Sequence, residues 1–203
     1  MRLLFIVLDG VDGCGKTTQV KNISKYLKSK GFSVLNTSEP SDSVFGKKAR
    51  KILKSEKDPQ KNAELCLGLF VKDREHHLKN VIEPFLSFDN RAVVCDRYYY
   101  STIAYQHTQG LSWRRVLNAN SGFKKPNLAF IFDLPIKIAM QRMALRGTEL
   151  EKFEKIEFME ELSDNFLDLK NRLSDNLFYI DALGDENEVF SKVKAVLEKY
   201  CKN

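Results

Sequence analysis

The stretch GVDGCGKT, residues 10–17, decides the fold. It fits the pattern G-x-x-x-x-G-K-[ST], in which glycines let the backbone turn tightly and aim several N–H groups at phosphate oxygens. An apolar, strand-like run from Leu3 to Leu8 precedes it, and an amphipathic, helix-like stretch from Thr17 to Lys30 follows it. This context argues against a chance glycine-rich turn, so the sequence predicts a loop that holds the phosphates of a nucleotide.

The loop also carries the side chains that triphosphate chemistry needs. Lys16 can neutralise the outer phosphates, and the Thr17 hydroxyl can reach a Mg²⁺ ion that bridges them. The positive N-terminal end of the following helix adds to the attraction. We therefore expect Mg²⁺ and the phosphates of a nucleoside triphosphate at a continuous set of residues: Gly10, Val11, Asp12, Gly13, Cys14, Gly15, Lys16, Thr17 and Thr18. The loop alone leaves open whether phosphate passes to water, to a protein or to a second small molecule.

Strand-like and helix-like segments alternate along the rest of the chain. Short apolar runs predict buried strands at Leu3 to Leu8, Ser33 to Leu35, Ala92 to Cys95, Leu128 to Leu134 and Leu177 to Ile180. Amphipathic stretches predict helices at Thr17 to Lys30, Asn62 to Phe88, Ile136 to Leu145, Lys155 to Leu173 and Glu186 to Tyr200. This order predicts an α/β protein with the P-loop NTPase fold: a five-stranded parallel sheet with helices on both faces and ligands at the carboxyl ends of the strands.

Composition places the chain among ordinary globular proteins. Its 203 residues, 43% hydrophobic and 30% charged, suffice for one domain with a sizeable core. The net charge of +6 would suit nucleic acid, but basic and acidic residues alternate, so we expect a small polyanionic substrate and no nucleic-acid partner. The six-residue apolar start predicts neither a signal peptide nor a membrane span, and the cysteines lack metal-ligand spacing, so a cytoplasmic location is expected.

A second group of chemically active residues follows the predicted third strand. Asp96 and Arg97 emerge at the same sheet edge as the glycine loop. Asp96 can hold the metal through water, and Arg97 can grip a phosphate bidentately, although a surface ion pair would give the same dipeptide. Upstream, Phe70 and Arg74 are four residues apart on a predicted helix, so a base could stack there; core packing beside a solvated arginine is the alternative.

Together these segments resemble the thymidylate kinase family over nearly the whole chain. The matching motifs are Asp9 to Gly13, Thr37-Ser38-Glu39-Pro40, Asp73-Arg74 with His77, Asp96 to Gln106, and Arg142 to Glu154. The run DRYYYSTIAYQ, residues 96–106, is the most specific of them. The resemblance implies a single nucleoside-monophosphate-kinase-like domain over residues 1–203 that transfers the γ-phosphoryl group of ATP to dTMP, giving dTDP for dTTP synthesis. It also implies a homodimer.

The resemblance assigns roles residue by residue. Phe70 would stack on thymine, Arg74 would donate to the base, and Thr102 and Gln106 would bond its polar edge. Tyr105 would lie at the sugar, Asp12 would contact the 3′-hydroxyl, and Arg97 would hold the monophosphate. Glu39 and Ser101 complete the implied substrate site. Lys16, Asp96, Arg97 and Arg146 would be catalytic, with Thr17 and Asp96 at the metal and Arg142 at ATP.

Some members of this family carry an arginine inside the loop, at the position of Gly13, and others supply cations from a lid. This chain resembles the second type, with Arg142, Arg146 and Lys152 as the cations and a lid at about 146–157. From its composition alone, the segment could equally be an exposed helical connection.

The chain departs from the family pattern at three positions. Ser38 replaces an arginine that usually grips the monophosphate, for which Arg50, Lys47 or Lys48 could substitute. Lys152 replaces an arginine, and Phe166 replaces a common tyrosine.

Two other functions remain open from the sequence. Another P-loop kinase, for a deoxynucleoside or a different monophosphate, would share the fold and the loop, and only the base pocket distinguishes it. A P-loop ATPase or switch protein would act through protein partners. The sequence contains no guanine-selecting NKxD motif and no clear glutamine placed, as in a GTPase, to position the attacking water.

Overall fold

A computed structural model describes residues 3–55, 58, 60–145 and 156–202, with side-chain detail to residue 200. Its central feature is a five-stranded parallel sheet in the order β2-β3-β1-β4-β5. The strands are β1 (Leu3–Gly10), β2 (Ser33–Ser38), β3 (Arg91–Asp96), β4 (Leu128–Asp133) and β5 (Leu177–Asp181). Each predicted apolar run is a strand, and the predicted fold class is confirmed.

Helices connect and cover the strands. They are α1 (Lys16–Ser29), α2 (Val44–Ser55), α3 (Ala63–His77), α4 (Glu83–Leu86), α5 (Tyr99–Thr108), α6 (Trp113–Asn120), α7 (Ile136–Ala144), α8 (Ile156–Arg172) and α9 (Glu186–Lys202). The stretch predicted as one helix over Asn62 to Phe88 is α3 and α4 joined by a π-helical segment, Leu78–Ile82. The predicted helices omit α2, α5 and α6.

Helix α5 could not be predicted from a helical period of apolar residues, and the reason is physical. Its residues from Tyr99 to Ala104 are all buried, so it shows no alternation between an apolar and a polar face. It packs between α3 and α8 and carries much of the site described below.

The core lies along the middle of the sheet. Successive residues of β1, β3 and β4 are buried, which requires cover on both faces of these strands. Helix α1 packs against α9, and α5 packs against α8. The edge strands, β2 and β5, are partly exposed. None of the described helices is long and apolar enough to cross a membrane.

The predicted lid lies almost entirely at residues outside the described ranges. Arg146 and Lys152 both fall there, so their predicted roles have no structural counterpart. Of the predicted lid, only residues 156 and 157 are described, as the start of α8.

Candidate functional site

The glycine loop lies at the carboxyl end of β1, the central strand, and leads directly into α1. Gly15 caps α1 in a left-handed conformation, with φ 95°. The Lys16 ammonium turns back into the loop and donates to the carbonyl oxygens of Gly10, at 3.0 Å, and Val11, at 2.8 Å. These bonds hold the cation at the base of the loop, where phosphates would bind.

Gly13 lies tight against α7. A Cβ atom at Gly13 would be 2.4 Å from the Ala139 carbonyl oxygen, and the residue has φ 82°. Any side chain there would be strained and would clash with backbone. The loop therefore has no room for an arginine at this position.

Thr17 and Asp96 meet at the end of β3. The Thr17 hydroxyl donates to Asp96 Oδ2 at 2.9 Å. Hydroxyl and carboxylate oxygens are the donors that Mg²⁺ prefers, and the pair borders a cavity of about 240 Å³ that Lys16 and Arg97 also line. The described residues contain no cluster of three or more His, Cys, Asp or Glu side chains suited to a metal. The pair therefore fits an ion that takes its other ligands from phosphates and water.

Arg97 occupies an unusual backbone conformation. Its φ is 71°, and the turn is held by a bond from its N–H to the Leu8 carbonyl oxygen, at 2.8 Å, and by one from Cys95 Sγ to its own carbonyl oxygen, at 3.0 Å. A non-glycine residue in the left-handed region is strained, and such strain clusters at functional sites. The turn directs the guanidinium toward the glycine loop, where Nη2 contacts Asp12.

Asp9 fixes the start of α5 beside this turn. Its carboxylate accepts hydrogen bonds from the backbone N–H groups of Tyr98 and Ser101, each at 3.0 Å, and from the Ser101 hydroxyl. Burial raises the pKa of Asp9 despite the opposing effect of the Arg97 charge. Asp9 has no predicted role, because its partners lie some 90 residues away in the chain.

Asp12, Arg97 and Tyr105 form a cluster between the glycine loop and α5. Arg97 Nη2 contacts Asp12 Oδ1 at 2.5 Å, Arg97 Nη1 donates to Ser101 Oγ at 2.7 Å, and the Tyr105 hydroxyl donates to Asp12 Oδ2 at 3.0 Å. Desolvation favours the neutral acid, but the charges of Arg97 and Lys16 outweigh it and hold the pKa of Asp12 below its usual range. Asp12 is therefore a permanent anion that orients Arg97.

A cavity of about 260 Å³ opens beside this cluster and brings together every predicted substrate residue. Its lining consists of Asp12, Glu39, Pro40, Leu53, Phe70, Arg74, Arg97, Tyr98, Ser101, Thr102, Tyr105 and Gln106. Pro40, Leu53 and Tyr98 were absent from the predicted set. Together with Phe70 they give the cavity apolar walls around a few polar groups, the usual character of a small-molecule site.

The polar end of this cavity is a buried network around Arg74. Arg74 Nε donates to Glu39 Oε2 at 2.9 Å, and Nη2 lies 2.8 Å both from the same carboxylate oxygen and from Thr102 Oγ1. His77 contacts the other Glu39 oxygen at 3.2 Å. Only about 1% of the Arg74 side chain and 5% of the Glu39 side chain are exposed. Thr102 therefore contacts Arg74 directly, which sequence reasoning did not predict.

Gln106 closes the same end of the cavity. Its amide nitrogen donates to Gln109 Oε1 at 2.7 Å, while its own Oε1 is buried and has no hydrogen-bond partner among the described residues. A buried acceptor without a partner costs free energy, so native structures seldom leave one unless a ligand or water completes it.

A third cavity, of about 270 Å³, lies on the other side of the glycine loop. Gly13, Thr18, Gln19, Arg142 and Gly184 are among its lining residues. The Arg142 guanidinium donates to the carbonyl oxygens of Ala182, at 3.3 Å, and Gly184, at 3.2 Å, so its N–H edge contacts the loop after β5.

The sequence model of the family described as thymidylate kinase matches residues 8–193. The chain belongs to the thymidylate kinase family. The predicted resemblance is confirmed, and so is the predicted enzyme class, an ATP-dependent nucleoside monophosphate kinase.

Curated relatives within the thymidylate kinase family align along the chain. A probable thymidylate kinase from Pyrococcus horikoshii is 40% identical over 202 residues, covering 98% of this chain and 97% of that protein. A probable thymidylate kinase from Pyrococcus abyssi is 34% identical over 201 residues, with 98% and 97% coverage. The thymidylate kinase of Desulfotalea psychrophila is 38% identical over 162 residues, or 79% of each chain.

The departures from the thymidylate kinase pattern have distinct surroundings. Ser38 ends β2 and lines the 240 Å³ cavity. Arg50 contacts the Pro40 carbonyl oxygen and pairs with Asp42 at 2.9 Å, and neither Lys47 nor Lys48 lines any of the three cavities. Phe166 packs its ring edge-on to Tyr105, with 6.3 Å between centroids.

Proposed function

We propose that this chain transfers the γ-phosphoryl group of ATP to dTMP, giving dTDP and ADP. Thymine is supported as the base by the polar end of the 260 Å³ cavity. Gln106, whose Oε1 has no hydrogen-bond partner among the described residues, lines the cavity there together with Arg74. Thymine presents an N–H donor next to a carbonyl acceptor. An acceptor and a donor on the protein match that edge, and the apolar walls suit the ring and its methyl group.

The monophosphate would lie toward the Asp12 and Arg97 cluster. Arg97 retains N–H groups beyond those that contact Asp12 and Ser101, and a guanidinium binds phosphate oxygens bidentately. Asp12, held as an anion, would accept from the 3′-hydroxyl, while the Tyr105 ring lies along the sugar. Glu39 would act through Arg74, because its carboxylate is committed to that side chain.

ATP would bind on the other side of the loop, with its base in the 270 Å³ cavity against Arg142 and its phosphates at residues 10–18. Lys16 would exchange its bonds to Gly10 and Val11 for phosphate oxygens. Thr17 and Asp96 would hold Mg²⁺, which would supply positive charge to offset that of the phosphates.

Catalysis in this arrangement rests on position and charge. The 240 Å³ cavity joins the two nucleotide sites and is lined by Lys16, Asp96 and Arg97. Two cations on either side of the transferred group would stabilise the charge that develops on its oxygens, and the loop N–H groups would do the same. Arg146, the remaining predicted catalytic residue, would add a third cation from the lid.

The function is tested by ADP release from ATP and Mg²⁺ with and without dTMP, dUMP, dGMP or UMP. The proposal expects a sharp rise on adding dTMP and the highest kcat/KM for it. A higher kcat/KM for another acceptor would indicate a kinase of different substrate. ADP release that no acceptor changes would indicate an ATPase or a switch protein.

We also propose that the protein works in the cytoplasm as a homodimer. The family resemblance is the basis, and the outer surface of α3 supports it, because Leu65 is 49% exposed there next to the exposed Gly68. Sedimentation of the protein and of Leu65→Lys tests this: the dimer should weaken in the variant, and a monomeric parent protein would contradict it.

A further inference from the structure

Asn120, the last residue of α6, lies outside the set of residues that the sequence motifs indicate. It is 4% exposed and does not line the 260 Å³ cavity. Its side-chain oxygen nevertheless accepts a hydrogen bond of 2.6 Å from Arg74 Nη1, across 46 residues of sequence. Asn120 therefore contacts Arg74 without itself lining the cavity.

The orientation of the Asn120 amide is fixed by its own helix. Its Nδ2 donates to the Val116 carbonyl oxygen at 2.7 Å. Because a carbonyl oxygen cannot donate, the amide nitrogen must face Val116, and the amide oxygen must then face Arg74. Asn120 thus presents a single acceptor at a fixed place.

This acceptor leaves Arg74 little freedom. A guanidinium has five N–H groups in one plane. Nε–H donates to Glu39, one Nη2–H to Thr102 and one Nη1–H to Asn120, and Nη2 also lies at ion-pair distance, 2.8 Å, from Glu39 Oε2. The remaining Nη1–H is the one that these contacts leave for a ligand. The direction of this N–H is set by the orientation of the guanidinium plane, and the hydrogen bond to Asn120 fixes that plane at the Nη1 end.

The faces of the guanidinium are also restrained. The Tyr98 ring centre lies 5.1 Å and the Phe123 ring centre 5.3 Å from Arg74 Cζ, so aromatic rings limit tilting of the plane. Glu39 and Thr102 hold the Nε and Nη2 side. Asn120 is the described side chain that sets the Nη1 side.

We propose that Asn120 is a positioning residue that sets base specificity by fixing the Nη1–H of Arg74 toward a carbonyl oxygen on the base. This rests on the proposed function, in which the 260 Å³ cavity holds thymine. A fixed donor favours a base with a carbonyl oxygen at that edge, as in dTMP, over one with an amino group, as in dCMP, because two donors then face each other.

The test compares Asn120→Leu, which removes the acceptor at nearly the same size, with Asn120→Asp, which keeps an acceptor for Arg74 but cannot donate to Val116. For Asn120→Leu we expect KM for dTMP to rise about tenfold with kcat nearly unchanged, the size of one lost bond to a charged group. The ratio of kcat/KM for dTMP to that for dCMP should fall by a similar factor. Asn120→Asp should unfold at lower temperature yet keep most of the dTMP preference.

Asn118→Leu is the matched control, since Asn118 is exposed on the same helix and should leave KM and the dTMP preference unchanged. An unchanged KM for dTMP and an unchanged dTMP preference in Asn120→Leu would overturn the inference. It would also be overturned if the dTMP preference fell in both Asn120→Leu and Asn120→Asp in proportion to their loss of stability. If Asn120→Leu does not fold, Asn120→Ala at low temperature decides by the same criteria. A parent protein inactive with dTMP would instead overturn the proposed function.

Discussion

The two sides of the site are held in different ways. On the acceptor side, Arg74 is buried in a network in which most of its N–H groups already have protein partners. On the donor side, Lys16 is bonded to carbonyl oxygens of its own loop, and the hydrogen bonds of Arg142 within the described ranges are long, 3.2 to 3.4 Å, to backbone carbonyl oxygens. The acceptor pocket is preorganised, whereas the donor cations must exchange contacts when phosphates bind.

This difference follows from what each side recognises. A base is selected by donors and acceptors at fixed positions, because mobile groups could rearrange to bond a different base equally well. A phosphoryl group that changes charge during transfer needs cations close to it at that moment. The donor cations are hydrogen-bonded to neutral carbonyl oxygens and not to carboxylates, so the exchange of these bonds for phosphate oxygens should cost little free energy. Substitutions on the acceptor side should therefore alter stability and selectivity, and those on the donor side should alter kcat or the KM for ATP.

The largest effect is expected at Glu39. Glu39→Gln keeps the size of the side chain but leaves the buried Arg74 charge without its carboxylate. Removing one partner of a buried ion pair costs about 3–5 kcal/mol, and thermal or urea unfolding should show a loss of this order, with a higher KM for dTMP. Glu64→Gln is the control, because Glu64 pairs with Arg115 at the surface and the change should cost less than about 1 kcal/mol. Equal losses in the two variants would mean that the acceptor network is not preorganised.

The next effect concerns the donor side and is kinetic. Lys16→Ala should lower kcat by a factor on the order of 10² or more, since the ammonium stabilises charge that develops during transfer. Its free energy of unfolding should change by less than about 1 kcal/mol, because water can replace Lys16 at the loop carbonyl oxygens. Lys21→Ala, an exposed lysine on the same helix, is the control. A near-native kcat in Lys16→Ala would show that Lys16 does not stabilise the transition state.

A smaller effect is expected at Arg142. Arg142→Ala removes the flat guanidinium beside the 270 Å³ cavity and should raise KM for ATP about tenfold, or about 1.4 kcal/mol, while KM for dTMP stays the same. Lys137→Ala, exposed on the same helix, should change neither constant. If KM for dTMP rose instead, the assignment of the two cavities to donor and acceptor would be reversed.

Much of the fold could be predicted from the sequence because its signals are local. The glycine loop and the short apolar runs define a strand, a turn and a helix within a few neighbouring residues, and every predicted strand is present. Helix α5 could not be found in this way, since Tyr99 to Ala104 are buried all round and lack the polar face that produces a helical period. The motif from Asp96 to Gln106 nevertheless located the residues that α5 carries.

The parts of the site that escaped prediction depend on long-range contacts. Asp9 caps α5 from more than 90 residues away, and Asn120 reaches Arg74 from α6. Nothing in local spacing pairs such positions, because they meet only when the sheet and its helices pack. Thr102 was predicted to bond the base, and its contact with Arg74 became visible only in the packed structure.

The smallest effect is expected at Ser38, where the two sides meet. Ser38 pairs with Asp96 across the ends of β2 and β3 and lines the cavity that contains Lys16 and Arg97. Ser38→Arg would add a bidentate phosphate donor there and should lower KM for dTMP about fivefold, or about 1 kcal/mol, with little change in KM for ATP. Ser38→Gln, long but neutral, should not do so. If KM stayed constant in Ser38→Arg, another cation would already serve the monophosphate, and Arg50→Ala in the parent protein should then raise KM, because Arg50 is the half-buried cation beside Pro40 at the wall of the acceptor cavity.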